Sequence, residues 1–387
     1  MPTDTTRAME AYVQELRESR ERYLDEAVPA LAERARSRGY RMPPREFRDT
    51  SFLHIRSQAG DTGARPLVGG VHWHSPDIQL YPAHAFPGPG SHTNELVAGR
   101  SYRIVVQIHN GGDLAVPYPK LELFLSDPTL GFDTRFSTHI ATTQHEGILL
   151  PGSSGLVQHT YRVPHTESGH KCLFARLWSF SPPDLPIDLH ALDPRIDQRV
   201  AQQNLHIVGQ GQPYAFQIVH QPNAADLIEL VALERDELLR LPLPALANHR
   251  VREDSGRERE LLRRVEIMTL GEGRGRLEPD RTGFRFTSEG DGPRLEEQFA
   301  LLRDLTATLS GSHMEHGAAG ARERYGALRT AWRKMNLSNT RTQLAMKVPD
   351  LGLQPGEAAA FSIVCRSEGT GTVRGGITLV VTGSDSS

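Results

Sequence analysis

Cysteine is scarce in this chain of 387 residues: Cys172 and Cys365, far apart, are the two it has. Each falls in an apolar strand-like segment where a free thiol behaves as a small hydrophobe, so no disulfide framework is expected and a reducing compartment is. Long apolar runs are also missing. Nothing approaches the ~18 consecutive apolar residues of a membrane span. The N-terminus, MPTDTTRAMEAYVQELRESRERYLDEA, is charged throughout, without the apolar core of a signal peptide. Classical secretion and membrane insertion are therefore not expected and a cytoplasmic location is, with export by a dedicated machine left open. A large charge of one sign is absent as well: 44 Lys and Arg against 47 Asp and Glu give a formal charge of -3. That balance offers nothing to draw nucleic acid or an anionic membrane.

What the chain does have is punctuation. Its 35 Gly and 26 Pro are spread along the whole length, which favours many turns and short strands over a helical bundle. The length suits two or three domains, each able to bury a core. From Val71 the hydrophobic period is two. In SYRIVVQIHNGG, Tyr102, Ile104, Val106 and Ile108 share one face, while Arg103, Gln107 and His109 share the other, before an Asn-Gly-Gly turn. Leu121, Leu123 and Leu125 repeat the pattern, and GLVQHTYRV and HKCLFARLW add two further strands. A second set follows from Gln212: PYAFQIVH, DLIELVALE, RVEIMTLG, TQLAMKVP, AAAFSIVCR and GGITLVVTG. The fold class expected is mainly β, two immunoglobulin-like antiparallel sandwiches with an N-terminal helix and a helical insertion in the second. The domain plan is a helical segment over 1–45, a linker over 46–70, sandwiches over 71–209 and 210–387, and an insertion at about 290–336. The charged stretch EDSGRERELLRR reads as a short helix or a loop.

Within the N-terminal segment, Tyr12, Leu16, Tyr23, Leu24 and Leu31 recur at helical spacing among Arg and Glu. The stripe serves either its own domain or as a docking arm. Two loop aromatics join these as interface candidates: Tyr118, flanked by Pro117 and Pro119, and Phe180 in FSPPDLP. Proline-stiffened loops lose little entropy on docking, although such loops also pack on a sandwich end.

The first sandwich resembles the bacterial adhesion-related, immunoglobulin-like domains abbreviated CARDB. The residues that carry the likeness are SPDI at 75–78, VAGRSYRIVVQIHNGG at 97–112, PGSSGLVQHTYRVP at 151–164, GHKCLFAR at 169–176 and VAQQNLHIV at 200–208. The resemblance implies an adhesive or architectural role. Relatives of that kind are often exported or joined to hydrolases, and neither a signal peptide nor a recognisable catalytic domain is evident here.

Concentrated chemistry is not found in the sequence. His72 and His74 would share a strand face and could meet one ion, but no third ligand is placed. His313 and His316 stand in a glycine-rich loop outside any HExxH order. Gly271, Gly273 and Gly275 alternate with Glu272 and Arg274 in what reads as a hairpin loop, because no helix follows to cradle a phosphate. Ser153 and Ser154 read as turn residues. Cys172, with His170 two positions away, alternates with Phe174 as a core residue would. Asp127, Asp133 and Asp184 lie in loops that could hold calcium, or that merely stabilise turns. No catalytic residue, metal site or cofactor is assigned. The function expected is that of a non-enzymatic structural or interaction protein, a subunit or adaptor of a larger bacterial assembly with a protein partner or itself. Alternatives are a carbohydrate- or peptide-binding module, or a hydrolase or protease accessory protein using His72, His74 and Asp77.

Overall fold

The computed structural model of the chain describes residues 51–65, 67, 71–84, 93, 95–131, 133–165, 169–186, 192–220, 224–241, 246, 249–252, 256–271, 275–288, 340–369 and 371–383. The N-terminal helical segment with Tyr12, Leu16, Tyr23, Leu24 and Leu31 lies outside these residues. So does the helical insertion expected at about 290–336.

The chain is mainly β, built of open sheets. The first half contributes β1 (Leu53–His54), β2 (Ile78–Pro82), β3 (Glu95–Leu96), β4 (Ser101–Asn110), β5 (Val116–Pro117), β6 (Lys120–Ser126) and β7 (Thr129–Leu130). It continues with β8 (Thr138–Gln144), β9 (Ile148–Leu149), β10 (Ser154–Arg162), β11 (Gly169–His170), β12 (Cys172–Phe180), β13 (Pro183–Asp184) and β14 (Val200–Gln203). One sheet has β4 between β10 and the pair β1 and β2; the other runs β13-β12-β6-β8, with β14 also on β12. The strand alternation read in the sequence is the reason they stack. Tyr102, Ile104, Val106 and Ile108 of β4 meet Leu121, Leu123 and Leu125 of β6 and Leu173, Ala175 and Leu177 of β12 in one apolar core.

The second half contributes β15 (Leu205–Gly209), β16 (Pro213–His220), β17 (Ala225–Ala232), β18 (Arg250–Val251), β19 (Ile267–Leu270), β20 (Gly275–Pro279), β21 (Gly283–Ser288), β22 (Thr340–Lys347), β23 (Glu357–Ser367) and β24 (Val373–Thr382). Its larger sheet runs β15-β24-β23-β17-β21-β20, and its smaller one β19-β22-β16-β7. A second core lies between them, with Phe216, Ile218, Phe286, Leu344, Phe361, Ile363, Ile377 and Leu379. β23 and β24 are buried almost continuously. The reason is that their outer face is covered too: Leu238 of helix α1 (Arg235–Leu239) and Leu246 pack on Ala358, Ala360 and Val380. The charged EDSGRERELLRR stretch includes helix α2 (Gly256–Leu262), which brings Leu262 into the main core. No helix among the described residues is long and apolar enough to cross a membrane.

Two details differ from the sequence reading. Residues 53–65 fall in the stretch read as linker, yet Leu53 pairs with Asn110 of β4, and Leu53 and Ile55 are fully buried. A turn-rich composition concealed two short apolar positions that fill one edge of the sheet beyond β2. VAQQNLHIV, placed whole in the first sandwich over 71–209, forms two strands. It breaks at Asn204, where β14 leaves the first sandwich and β15 joins the second in parallel with β24.

Candidate functional site

The strand register fixes the two ends of the first sandwich. At one end, Cys172 of β12 pairs with Ser126 of β6, and the chain passes directly into β7, which adds to the second sandwich beside β16. At the other end, Trp178 pairs with Lys120, β1 pairs with the last residues of β4, and β5 pairs with β9. The first end is a seam against the second sandwich. The second is a tip.

The seam is polar and buried. Asn204, at the break between β14 and β15, donates from its side-chain nitrogen to the Thr129 carbonyl (3.0 Å) and the Gly376 carbonyl (2.8 Å). Its backbone N–H donates to Trp73, and its own carbonyl accepts from Thr378. Trp73 is buried against Gly376, and its indole N–H donates to the Thr378 hydroxyl at 3.1 Å. Arg374 pairs with buried Asp226, and Arg195 pairs with Asp193 while donating to the Val373 carbonyl. Buried polar groups cost stability unless they are bonded; here the Asn204, Trp73 and Arg195 bonds reach Gly376, Thr378 and Val373 of β24, and the Arg374–Asp226 pair lies within the second sandwich beside them.

His72 and His74 belong to this seam. They sit in a turn around Trp73 and are buried. Burial pushes both to a pKa of about 3; the Arg195 charge adds to the effect on His72, and His72 adds to that on His74. His74 bridges to Gln203 and faces His206 of β15, whereas His72 faces Arg195, Asp193 and Arg65. The two imidazoles are near enough to act on each other, but no third His, Cys, Asp or Glu joins them in a metal-holding group among the described residues. Asp77, the third residue of the hydrolase reading, is placed elsewhere. Its buried carboxylate accepts from the Arg56 side chain and backbone and from His109 Nε2 (2.9 Å). Burial works to raise its pKa, but these bonds hold it below the usual carboxylate range.

The remaining candidates are each held in packing, ion pairs or turns. Cys172 is buried with Phe124, Phe174, Leu192 and Val200, and burial raises its thiol pKa. Cys365 lies in the second core, its thiol likewise raised by burial. Asp127 pairs with Lys171, Asp133 with Arg135 and Asp184 with Arg199, so the three loop aspartates are separately partnered. Among the described residues, no group of three or more His, Cys, Asp or Glu is arranged to hold a metal ion. Ser153 bonds the Leu150 carbonyl within a turn. His313, His316 and the residues 272–274 lie outside the described residues.

The tip is the opposite of the seam. Tyr118 is 52% exposed and Phe180 63%. Each lies two residues beyond the last β6–β12 pair, Lys120 with Trp178, so the two aromatics share one end of the sandwich. Ile148 and Leu150, also exposed, flank them through the β5–β9 ribbon and the Tyr118 N–H bond to Gly147. Tyr118 holds a left-handed backbone at φ 47°, which costs a non-glycine residue about 1 kcal/mol or more. Phe180 meets Trp178 edge to face at 4.7 Å, and the Trp178 indole N–H is held by Glu122. Prolines in their loops mark both aromatics in the sequence, whereas nothing local marks Ile148 and Leu150, or Asn204 and His206 in the seam, because only strand pairing brings them together.

No family model matches the chain, and no curated protein matches it. Among solved structures, it is similar to a CARDB domain from Pyrococcus furiosus, solved in complex with di-metal ions. The identity is 13%, the coverage 39% of this chain and 100% of that one, and the TM-score 0.22. It is also similar to a β-glucosidase from Kluyveromyces marxianus at 14% identity and TM-score 0.17, over 28% of this chain and 13% of that one. A Listeria innocua β-glucosidase in complex with glucose gives 16% identity and TM-score 0.17, over 33% and 16% of the respective chains. The chain thus spans only a small part of either enzyme.

Proposed function

We propose that the chain is a non-enzymatic structural or interaction protein, a subunit or adaptor that meets a protein partner or a second copy through the tip of its first sandwich. The immunoglobulin-like connectivity and the CARDB-like character of that sandwich belong to the same proposal. The observation that carries it is the tip. Four large apolar side chains, Tyr118, Ile148, Leu150 and Phe180, stand exposed at one end of a body whose other end is tied down by the seam. Clustered exposed apolar groups mark contact sites, and a rigid support limits the entropy lost on docking. Tyr118 supports the reading independently, since its backbone strain keeps an aromatic ring outside the core. The stripe of Tyr12, Leu16, Tyr23, Leu24 and Leu31 is a second proposed contact.

The test is absolute mass in solution by light scattering, for the full chain, for a form lacking 1–45, and for Tyr118→Asp with Phe180→Asp. An oligomer that the double substitution reduces to monomer, with an unchanged melting temperature, supports the tip as the contact. An oligomer indifferent to it removes the tip from the reading.

A second reading, a carbohydrate- or peptide-binding module, is favoured by the Trp178–Phe180 pair, because the bond to Glu122 fixes one ring and the other is exposed. Binding to a glycan or peptide panel that Phe180→Ala abolishes would select it.

A further inference from the structure

Imidazoles collect at the seam in a way that its cohesion does not require. His206, the second residue of β15, is fully buried. Its ring centre stands 5.2 Å from that of His170 and 6.0 Å from that of Tyr214, and His74 of the first sandwich faces it. His206 Nε2 is 2.9 Å from Asn204 Oδ1. Because the Asn204 side-chain nitrogen is committed to two carbonyls, its oxygen must accept, so the proton sits on His206 Nε2. His206 Nδ1 is then a bare acceptor, and among the described residues neither it nor His74 Nε2 has a hydrogen-bond partner.

A proton added to either ring would place a charge in an enclosed site where, among the described residues, no carboxylate faces it directly. The groups facing His206 are the His74 and His170 imidazoles, the Tyr214 phenol and the Asn204 amide. Those facing His74 are His72, Gln203 and His206, with Arg195, Arg65 and Asp193 beyond them around His72. Burial, then the neighbouring imidazoles His170 and His74, already weaken proton binding by His206.

From this juxtaposition we propose that the seam is an acid-responsive latch: proton uptake by His74 and His206 parts the two sandwiches while each keeps its own core. His206 is bonded to the residue that ties the bodies together, so a charge there acts directly on the Asn204 bonds to Thr129 and Gly376. The two cores are separate clusters, and of the first sandwich's strands β7 alone adds a residue, Leu130, to the second. Opening therefore exposes the Trp73–Gly376 contact and the β7–β16 pairing, and withdraws Leu130 from the second core while leaving the rest of both cores packed.

The experiment is amide exchange, read as protection factors, on the full chain between pH 7.5 and pH 4. The reporters are the Gln217 N–H, bonded to Pro128, the Thr378 N–H, bonded to Asn204, and the Trp73 indole N–H. Amides of the β4–β10 and β23–β24 ladders are the references. Two histidines that must charge on opening predict that reporter protection falls by up to about 100-fold per pH unit below pH ~6.5, tenfold for each ring, while the references hold. His74→Gln with His206→Gln should abolish that pH dependence. If the double variant does not fold, His74→Gln alone should reduce it to about tenfold per unit. References that fail at the same pH as the reporters, reporters unchanged down to pH 4, or a variant with the wild-type slope would each overturn the proposal.

Discussion

Trp73 and Gly376 touch across the seam so closely that a Cβ built on Gly376 would lie 2.3 Å from the indole ring. Neighbouring Gly375 is similarly hemmed in, its added carbon falling 2.8 Å from the Gly131 nitrogen. The paired glycines of VRGGITLVV thus open a slot in β24 that receives a tryptophan from the other sandwich. Gly376→Ala should destabilise the chain by about 2 kcal/mol or more, since a buried indole held at Thr378 has no room to yield. A thermal melt checks this, and combining Gly376→Ala with Trp73→Leu should recover part of the loss.

Asn204→Ala should cost about 3 kcal/mol. It strands two buried carbonyls, at Thr129 and Gly376, and leaves the His206 N–H without its acceptor. Urea unfolding would show a lower midpoint. A loss below ~0.5 kcal/mol would mean that other groups or solvent replace the Asn204 bonds.

Tyr118→Gly separates stability from association. Glycine accepts φ 47° without strain and the lost side chain is mostly exposed, so stability should stay level or rise by up to about 1 kcal/mol. Self-association or partner binding, measured on the same sample, should weaken.

Asp77→Asn should destabilise by about 2 kcal/mol, because one buried carboxylate accepts from Arg56 and His109 together. With the folded pKa held below the unfolded one, the wild-type contribution is present above pH ~4 and fades as pH falls below it. Chemical denaturation at pH 7 and pH 3 should therefore show a smaller gap between variant and wild type at the lower pH.

Stability should also decline on mild acidification. His72 and His74 titrate at about 3 and His54 at about 4 when folded, against 6.5 when exposed. Lowered values make the neutral forms the stable ones, so stability is complete above pH ~6.5 and is lost as pH falls toward 3. Each ring contributes roughly 1.4 kcal/mol per pH unit inside that window. Urea midpoints at pH 7 and pH 5 should differ accordingly.

The sequence by itself determined the β class and the inward faces of the main strands. Alternation at Tyr102, Ile104, Val106 and Ile108, and at Leu121, Leu123 and Leu125, is a local property that survives into the core. It also marked Tyr118 and Phe180, because prolines beside aromatics are visible one residue at a time. The tertiary structure alone decided what depends on long-range pairing. Asn204 looks like an ordinary strand residue until β14 and β15 join different sandwiches, and His206 until the turn carrying His74 pairs with Gln203 of β14. The His72–Trp73–His74 triplet has a metal-like spacing, but it forms a turn rather than a strand, and what surrounds each ring, Arg195 and Asp193 for His72 and His206 for His74, comes from distant segments. Periodicity records which face of a strand is apolar; it does not record which distant strand that face will meet, and at this seam the meeting makes the chemistry.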